Sequence, residues 1–333
     1  MAINLLELQP NKVSRDLSGY ITYIYGRPKT GKTTLASQMP KALILAFEPG
    51  YRALPGVMAQ DITSWSEMRQ VYRELKKPEI QELYKCLVVD TIDIAADRCK
   101  KYICQQNDIE DLGDLGYGRG WTKFKEEFNE IFRGLTQLGY AVYFIGHDKE
   151  EHVDLGNGSS LTKYRPALSS SARTVIAGMS DIYGFAHEKY ANQPSVLTLR
   201  CSDGTIECGG RFKYLAEEIP MSYEALTKAL QEAMDKEAEE TGNHYVTDEK
   251  IAPVPTEKTY DFEGMKQRFT EIVGDLMSAN QSNGAKITEI VNTYLGKGKK
   301  VSDCNANQAE QLELILIDLE ELVKTIENPT PAE

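Results

Sequence analysis

The stretch Gly26-Arg27-Pro28-Lys29-Thr30-Gly31-Lys32-Thr33-Thr34 constrains this chain more than any other. It has the spacing Gly, four residues, Gly-Lys-Thr, which makes a phosphate-cradling loop. Ahead of it, Tyr20 to Tyr25 is β-branched and aromatic and reads as a strand; behind it, Leu35 to Met39 reads as a helix start. Strand, glycine loop and helix in that order is the setting the loop needs. Gly26 and Gly31 let the backbone turn tightly and bring its N–H groups against phosphate oxygens. The helix start adds free donors and partial positive charge. On this reading Lys32 reaches the β- and γ-phosphates of ATP, Thr33 ligates Mg²⁺ and Thr34 touches the α-phosphate.

The chain around the loop alternates strands and helices. Lys41–Phe47, Cys86–Asp90 and Ala141–Gly146 are short apolar runs suited to buried parallel strands. Helices are expected from Ser64 or Ser66 through Leu75, over Ile94–Gln106, from Trp121 to Leu138, near Ser170–Met179, and from Ser222 to about Glu240. Residues 107–120 read as a glycine-containing loop and Lys149–Arg165 as a mobile polar segment. Ser195–Arg200 and Thr205–Cys208 read as further strands. The expected fold class is α/β: a P-loop NTPase domain over 1–240, three layers α/β/α around a mostly parallel sheet. Residues 241–260, with Pro253 and Pro255, read as a linker. Residues 261–327 read as a small all-α module of three amphipathic helices, and Asn328–Glu333 as a frayed tail. In such a sheet the nucleotide sits at the carboxyl ends of the strands.

Three other strand ends then supply chemistry. Asp90 closes the third strand, where an acid holds Mg²⁺ through water. Many ATPases of the AAA+ type carry a glutamate directly after that acid; here Thr91 follows. The water-activating carboxylate must come from elsewhere, and Glu48, closing the second strand, is the candidate. His147, closing the fourth, is placed to sense the γ-phosphate. Asp93 is a weaker second acid and reads rather as a cap or first-turn helix charge.

Set beside the loop, Phe47-Glu48-Pro49-Gly50, Val89-Asp90-Thr91-Ile92-Asp93, Gly116 to Trp121 and Phe144-Ile145-Gly146-His147 give a texture over residues 18–220 that resembles the RecA/RadA recombinase core. It is similar in particular to phage-encoded small RecA-like ATPases of the Sak-type single-strand annealing group. That resemblance implies ATP hydrolysis, with Glu48 activating water, and assembly as a homo-oligomeric ring or filament. A Gln usually stands in the family where this chain has His147. It also implies that the segments behind strands three and four face single-stranded DNA. Arg119, Lys123 and Lys125 behind the third strand, and Lys149, Lys163, Arg165 and Arg173 behind the fourth, are the cations there, with Arg119, Lys123, Lys149, Lys163 and Arg165 the candidates, interleaved with aromatics that suit phosphate pairing and base stacking. Such sites are often completed across a subunit boundary by a basic finger, for which Arg211 is the candidate and Lys213 the second. The C-terminal helices lie outside the resemblance. Their Gly296-Lys297-Gly298-Lys299-Lys300 turn is locally basic and fits contact with nucleic acid, binding of a replication or recombination protein, or a cap on the assembly, with the partner-binding module preferred.

The net charge of −12 over 333 residues argues against a globally basic nucleic-acid coat, though not against a local basic groove. No run of about 18 apolar residues is present, so no membrane span is expected. The six cysteines show no paired metal spacing and fit thiols in a reduced cytoplasm, the host's if the chain is phage-encoded. Two other functions use the same loop. A small-molecule kinase usually has a Gly-x-x-Gly-x-Gly-Lys loop and an Arg-rich lid; Pro28 interrupts the first and the second is not evident. A nucleotide-dependent scaffold or partition-type switch has a Lys directly after the first Gly, where this chain has Arg27.

Overall fold

The computed structural model describes residues 6, 8–156, 158–189, 193–250 and 260–327. They fall into two units, one built on residues 10–250 and one on the C-terminal helices.

The first unit is organised by strands whose side chains alternate between two helical layers. Its strands are β1 (Val13–Ser14), β2 (Ile21–Gly26), β3 (Ala42–Ala46), β4 (Met58–Asp61), β5 (Cys86–Asp90), β6 (Ala141–Gly146), β7 (Asp148–Asp154), β8 (Ser160–Pro166), β9 (Ile182–His187), β10 (Val196–Thr198), β11 (Gly209–Gly210), β12 (Glu218–Pro220) and β13 (Val246–Thr247). The central sheet runs β12-β10-β9-β2-β6-β5-β3-β4, with β11 also on β9. From β9 to β4 every pairing is parallel, while β10, β11 and β12 add antiparallel. The parallel strands other than the edge strand β4 are buried on both faces, which is why β5 and β6 read as unbroken apolar runs.

The helices are α1 (Lys32–Ser37), α2 (Trp65–Glu74), α3 (Pro78–Leu83), α4 (Ile92–Gln106), α5 (Arg119–Gln137), α6 (Ser170–Met179) and α7 (Tyr223–Thr241). One face of the sheet packs Tyr23, Leu45, Val89 and Phe144 against α2, α4, α5 and α6. The other packs Ile24, Ile44, Val88 and Ile145 against α1 and α7. Phe124, Phe128 and Phe132 of α5 pack one after another through ring contacts and reach Phe144 of β6. A Ser64–Glu67 capping box starts α2, as the serine there suggests.

Three segments differ from the sequence reading. The polar segment 149–165 is a β-hairpin, β7 paired with β8 in register from Asp148↔Pro166 to Asp154↔Ser160. Thr205–Cys208 is not a strand; Ile206 only bridges to Tyr164, and Gly209–Gly210 is the piece that joins the sheet. Within 241–250, Val246–Thr247 pairs in parallel with Val13–Ser14, so the chain is tied back to its beginning before residues 251–259. Pro253 and Pro255 lie outside the described residues, as does the tail 328–333.

The second unit holds α8 (Phe262–Ala279), α9 (Asn283–Leu295) and α10 (Ala309–Glu327), the three helices that periodicity predicts. Leu276, Ile287, Val291, Leu312, Ile315 and Leu319 form its core.

Candidate nucleotide site

Topology fixes where the site lies. From β2 the chain crosses to β3 on one side, and from β6 it crosses back over β2 to β9 on the other. The crevice at that reversal, at the carboxyl ends of the strands, is the standard ligand position of an open parallel sheet. A cavity of about 330 Å³ opens there, lined by Lys29, Lys32, Thr33, Thr34, Glu48, Asp90 and His147 among others.

The phosphate loop has the backbone its glycines allow. Gly31 has φ 88°, a left-handed conformation that turns the chain into α1. Gly26 runs so close to β9 that a Cβ would sit 2.1 Å from the Ala186 carbonyl oxygen. Thr30 is buried and its hydroxyl donates to the Arg27 carbonyl at 2.9 Å. Lys32 is buried too, its ammonium donating to the carbonyls of Gly26 (2.7 Å) and Arg27 (2.6 Å). Burial lowers the Lys32 pKa, while Asp90 and the other acids of the site oppose that shift. The Arg27 side chain leaves the cavity and pairs with Glu150 of β7 at 2.8 Å.

Around Lys32 the strand ends meet. The Thr33 hydroxyl donates to Asp90 Oδ2 at 2.8 Å. Asp90 Oδ1 is buried with no hydrogen-bond partner among the described residues. Burial pushes the Asp90 carboxyl up to about 6; the Thr33 bond opposes this and the Glu48 charge adds to it. An orphaned carboxylate oxygen beside a threonine hydroxyl is a donor set of hard oxygens, which suits Mg²⁺. Gly50 closes that corner: a Cβ on it would lie 3.6 Å from Asp90 Oδ2, 3.7 Å from Thr33 Oγ1 and 3.9 Å from Glu48 Oε1.

Glu48 and His147 face each other across the strand ends, Nε2 to Oε1 at 3.8 Å. The other ring nitrogen of His147, Nδ1, meets Asp93 Oδ2 at 2.7 Å, and its backbone N–H donates to Asp93 Oδ1 at 3.1 Å. The Asp93 hydrogen bond raises the His147 pKa against the effect of burial, with Glu48 adding and Lys32 opposing. Asp93 does lie in the first turn of α4, but its carboxylate serves His147 rather than the helix start. The residue sequence reasoning left aside is therefore the one that holds His147. The signal was its place one turn past a strand end, on the strand next to that of His147.

The remaining expected residues lie elsewhere. Arg211 pairs with Asp181 at 3.3 Å, where Asp181 also receives the backbone N–H of Ile21. That is the amino end of β2, opposite the phosphate loop. Arg119 is the first residue of α5, and Lys123 on the same helix donates to Asn107 at 2.5 Å. Glu127 of the same helix receives Arg69 and the indole N–H of Trp65. Lys149 and Lys163 stand on the hairpin, where Lys163 lies in register with Glu151. Arg165 pairs with Glu151 at 2.7 Å and lies 3.6 Å from Glu207. Trp121 packs partly buried against the core, edge-on to Phe124.

A phosphate loop at the switch point of a parallel sheet, with a threonine–aspartate pair and a second carboxylate beside it, defines a P-loop nucleotide-binding ATPase. A family model described as "AAA domain" matches residues 18–211, more than half of the chain, and the chain belongs to that family. It is also 28% identical, over 97% of its length and 99% of the relative's, to the SPbeta prophage-derived uncharacterized protein YorG of Bacillus subtilis (strain 168). Among the described residues no helix is long and apolar enough to cross a membrane.

Proposed function

We propose that the chain is a RecA-like ATPase of a phage or prophage that acts on single-stranded DNA in recombination or annealing, with nucleotide state controlling assembly and DNA contact. One observation carries the reading: Lys32, Thr33, Asp90, Glu48 and His147, from four neighbouring strand ends, line a single cavity. The prophage relative, matched end to end, supports the phage setting.

In this mechanism the loop amides and Lys32 grip the triphosphate, and the ammonium exchanges its carbonyl partners for phosphate oxygens. Thr33 and Asp90 would hold Mg²⁺, which when bound supplies charge neutralisation between the phosphates. Glu48 takes the proton of the attacking water as the terminal phosphoryl group leaves the diphosphate. His147 reads the presence of that group. Its carbonyl accepts from the N–H of Ala167 at 2.8 Å, and β7 begins at the next residue, so a shift of His147 moves the base of the hairpin. Arg27 ties the phosphate loop to the same hairpin through Glu150 and lies 5.9 Å from the Tyr164 ring centre. The hairpin itself carries Lys149, Lys163 and Arg165 against Asp148, Glu150, Glu151 and Asp154. DNA contact is therefore assigned to the start of α5, through Arg119 and Lys123, with the hairpin lysines in support.

The test is ATP turnover with and without single-stranded DNA, using Lys32→Ala as the control. Stimulation by DNA of tenfold or so supports the reading. Turnover that ignores DNA but answers to a protein partner moves the assignment to a nucleotide-dependent switch.

A further inference from the structure

Three side chains from three neighbouring strand ends form a line: Glu48 just past β3, His147 just past β6, and Asp93 in the first turn after β5. Asp93 receives two hydrogen bonds from one residue, the backbone N–H of His147 and its ring Nδ1–H. Two bonds to one carboxylate fix both where the ring sits and which nitrogen carries the proton. Nε2 is then the atom turned toward Glu48. With Nδ1–H committed to Asp93, a neutral ring would offer Glu48 only a lone pair. A second proton, on Nε2, makes the ring a donor.

We infer that Asp93 is a positioning residue for hydrolysis, holding His147 as an Nε2–H donor that orients the Glu48 carboxylate for its work on water. The inference rests on the reading of this cavity as an ATPase site with Glu48 as base. Asp93 itself touches neither water nor phosphate; it acts through the ring. The charges facing the ring are Asp93 from α4, Glu48 from the end of β3 and Asp90 from the end of β5, which favour the cation, and Lys32 from α1, which opposes it. Nε2 stands 3.8 Å from Glu48 Oε1, within ion-pair range, so the imidazolium holds that oxygen by charge and closes on it as a donor during turnover, leaving the other oxygen to accept the proton of the attacking water. No atom is gained or lost in this arrangement, because the proton on Nε2 stays on the ring while Glu48 takes the one from water.

The experiment measures kcat between about pH 6 and pH 9, and ATP affinity separately, for wild type, Asp93→Asn, His147→Gln and the double variant. Wild-type kcat should fall on the alkaline side as His147 loses its proton. Asp93→Asn should lower kcat about tenfold, keep ATP affinity within about twofold, and move the alkaline fall to lower pH. His147→Gln, a neutral donor, should remove the alkaline fall, and Asp93→Asn should cost nothing further on that background. An equal cost in both backgrounds overturns the inference, as does an alkaline fall that stays in place. A loss of ATP affinity matching the loss of kcat also overturns it, since it would make Asp93 structural. Lys32→Ala separates this from the broader reading. Turnover indifferent to that change removes the site and the role of Asp93 together, whereas turnover lost in Lys32→Ala but untouched in Asp93→Asn removes the role of Asp93 alone.

Discussion

Asp90 sits where function and stability oppose each other. Its carboxyl is buried and its pKa stands at about 6 in the folded chain, against an ordinary 3.8. A folded-state pKa raised in this way means that the native state binds the proton more tightly than the unfolded one. Its stabilising effect is complete below about pH 4 and is lost as pH rises through about 6. Above that, the folded chain carries a buried charge at a cost of about 3 kcal/mol. Asp90→Asn keeps the shape and an acceptor for Thr33 while removing the charge. It should therefore abolish ATP turnover yet raise the melting temperature of the nucleotide-free protein at about pH 7.5, with the gain gone below about pH 4. Thermal unfolding at several pH values checks this, and a lower melting temperature at neutral pH would contradict it. Lys32→Ala is the complement. The ammonium's desolvation opposes what its bonds to two carbonyls and the nearby acids supply, so its loss should cost little stability but weaken ATP binding at least tenfold. Titration with a fluorescent ATP analogue measures that change.

At the scale of elements, the least expected piece is the β7–β8 hairpin. Apolar alternation is the main strand signal, and Asp-Lys-Glu-Glu-His-Val-Asp has almost none. The Asn157-Gly158 pair was the readable clue, because such dipeptides mark hairpin turns. What holds the ribbon is tertiary. The buried Tyr25 hydroxyl of β2 lies within hydrogen-bonding distance of the carbonyls of Tyr164 (3.0 Å) and Glu207 (2.8 Å), and the Tyr164 ring stacks on Phe185. Glu207 in turn receives Arg173 and the Tyr183 hydroxyl. Tyr25→Phe should cost about 1–2 kcal/mol in denaturant unfolding: the hydroxyl has one proton to give, the Tyr164 carbonyl keeps the N–H of Glu207, and the Glu207 carbonyl loses its donor. It should also speed proteolytic cutting between residues 148 and 166; an unchanged cutting rate would mean the hairpin does not depend on this anchor. The buried parallel strands β2, β3, β5 and β6, by contrast, were legible nearly to the residue, whereas the exposed edge strand β4 was not read at all. A strand buried on both faces must be apolar throughout, so Cys86–Asp90 and Ala141–Gly146 announce themselves. Thr33, Asp90, Glu48 and His147 could be brought together in advance because strand ends converge wherever such a sheet reverses. Asp93 could not, because its partner is set by the depth of the first turn of α4, which spacing does not give.

At the scale of the whole molecule, the open question is whether one chain completes its own site. Among the described lining residues of the cavity the basic side chains are Lys29, Lys32 and His147, and no arginine is included. Charge developing on a transferring phosphoryl group is commonly met by a further cation. Arg211 is more than half exposed, yet it stands at the amino end of β2, a full strand away from its own phosphate loop. A six-residue strand spans roughly 20 Å, well beyond the reach of one side chain. Any action of Arg211 on phosphate must therefore be on a neighbouring copy, which requires a head-to-tail contact of the kind that builds rings or filaments. In its tie to Asp181 the guanidinium is exposed while the carboxylate is largely buried and keeps the Ile21 N–H, so docking can draw the arginine away without leaving Asp181 unpartnered. Mixing Arg211→Ala with Lys32→Ala makes the point measurable. Each variant alone should turn over ATP slowly, but in a mixture the intact arginine of one copy meets the intact phosphate loop of the other. Turnover should rise above the sum of the two separate rates and peak near equal proportions. A mixture that never exceeds that sum, at any ratio and at concentrations where the wild type is active, would confine Arg211 to holding the amino end of the sheet.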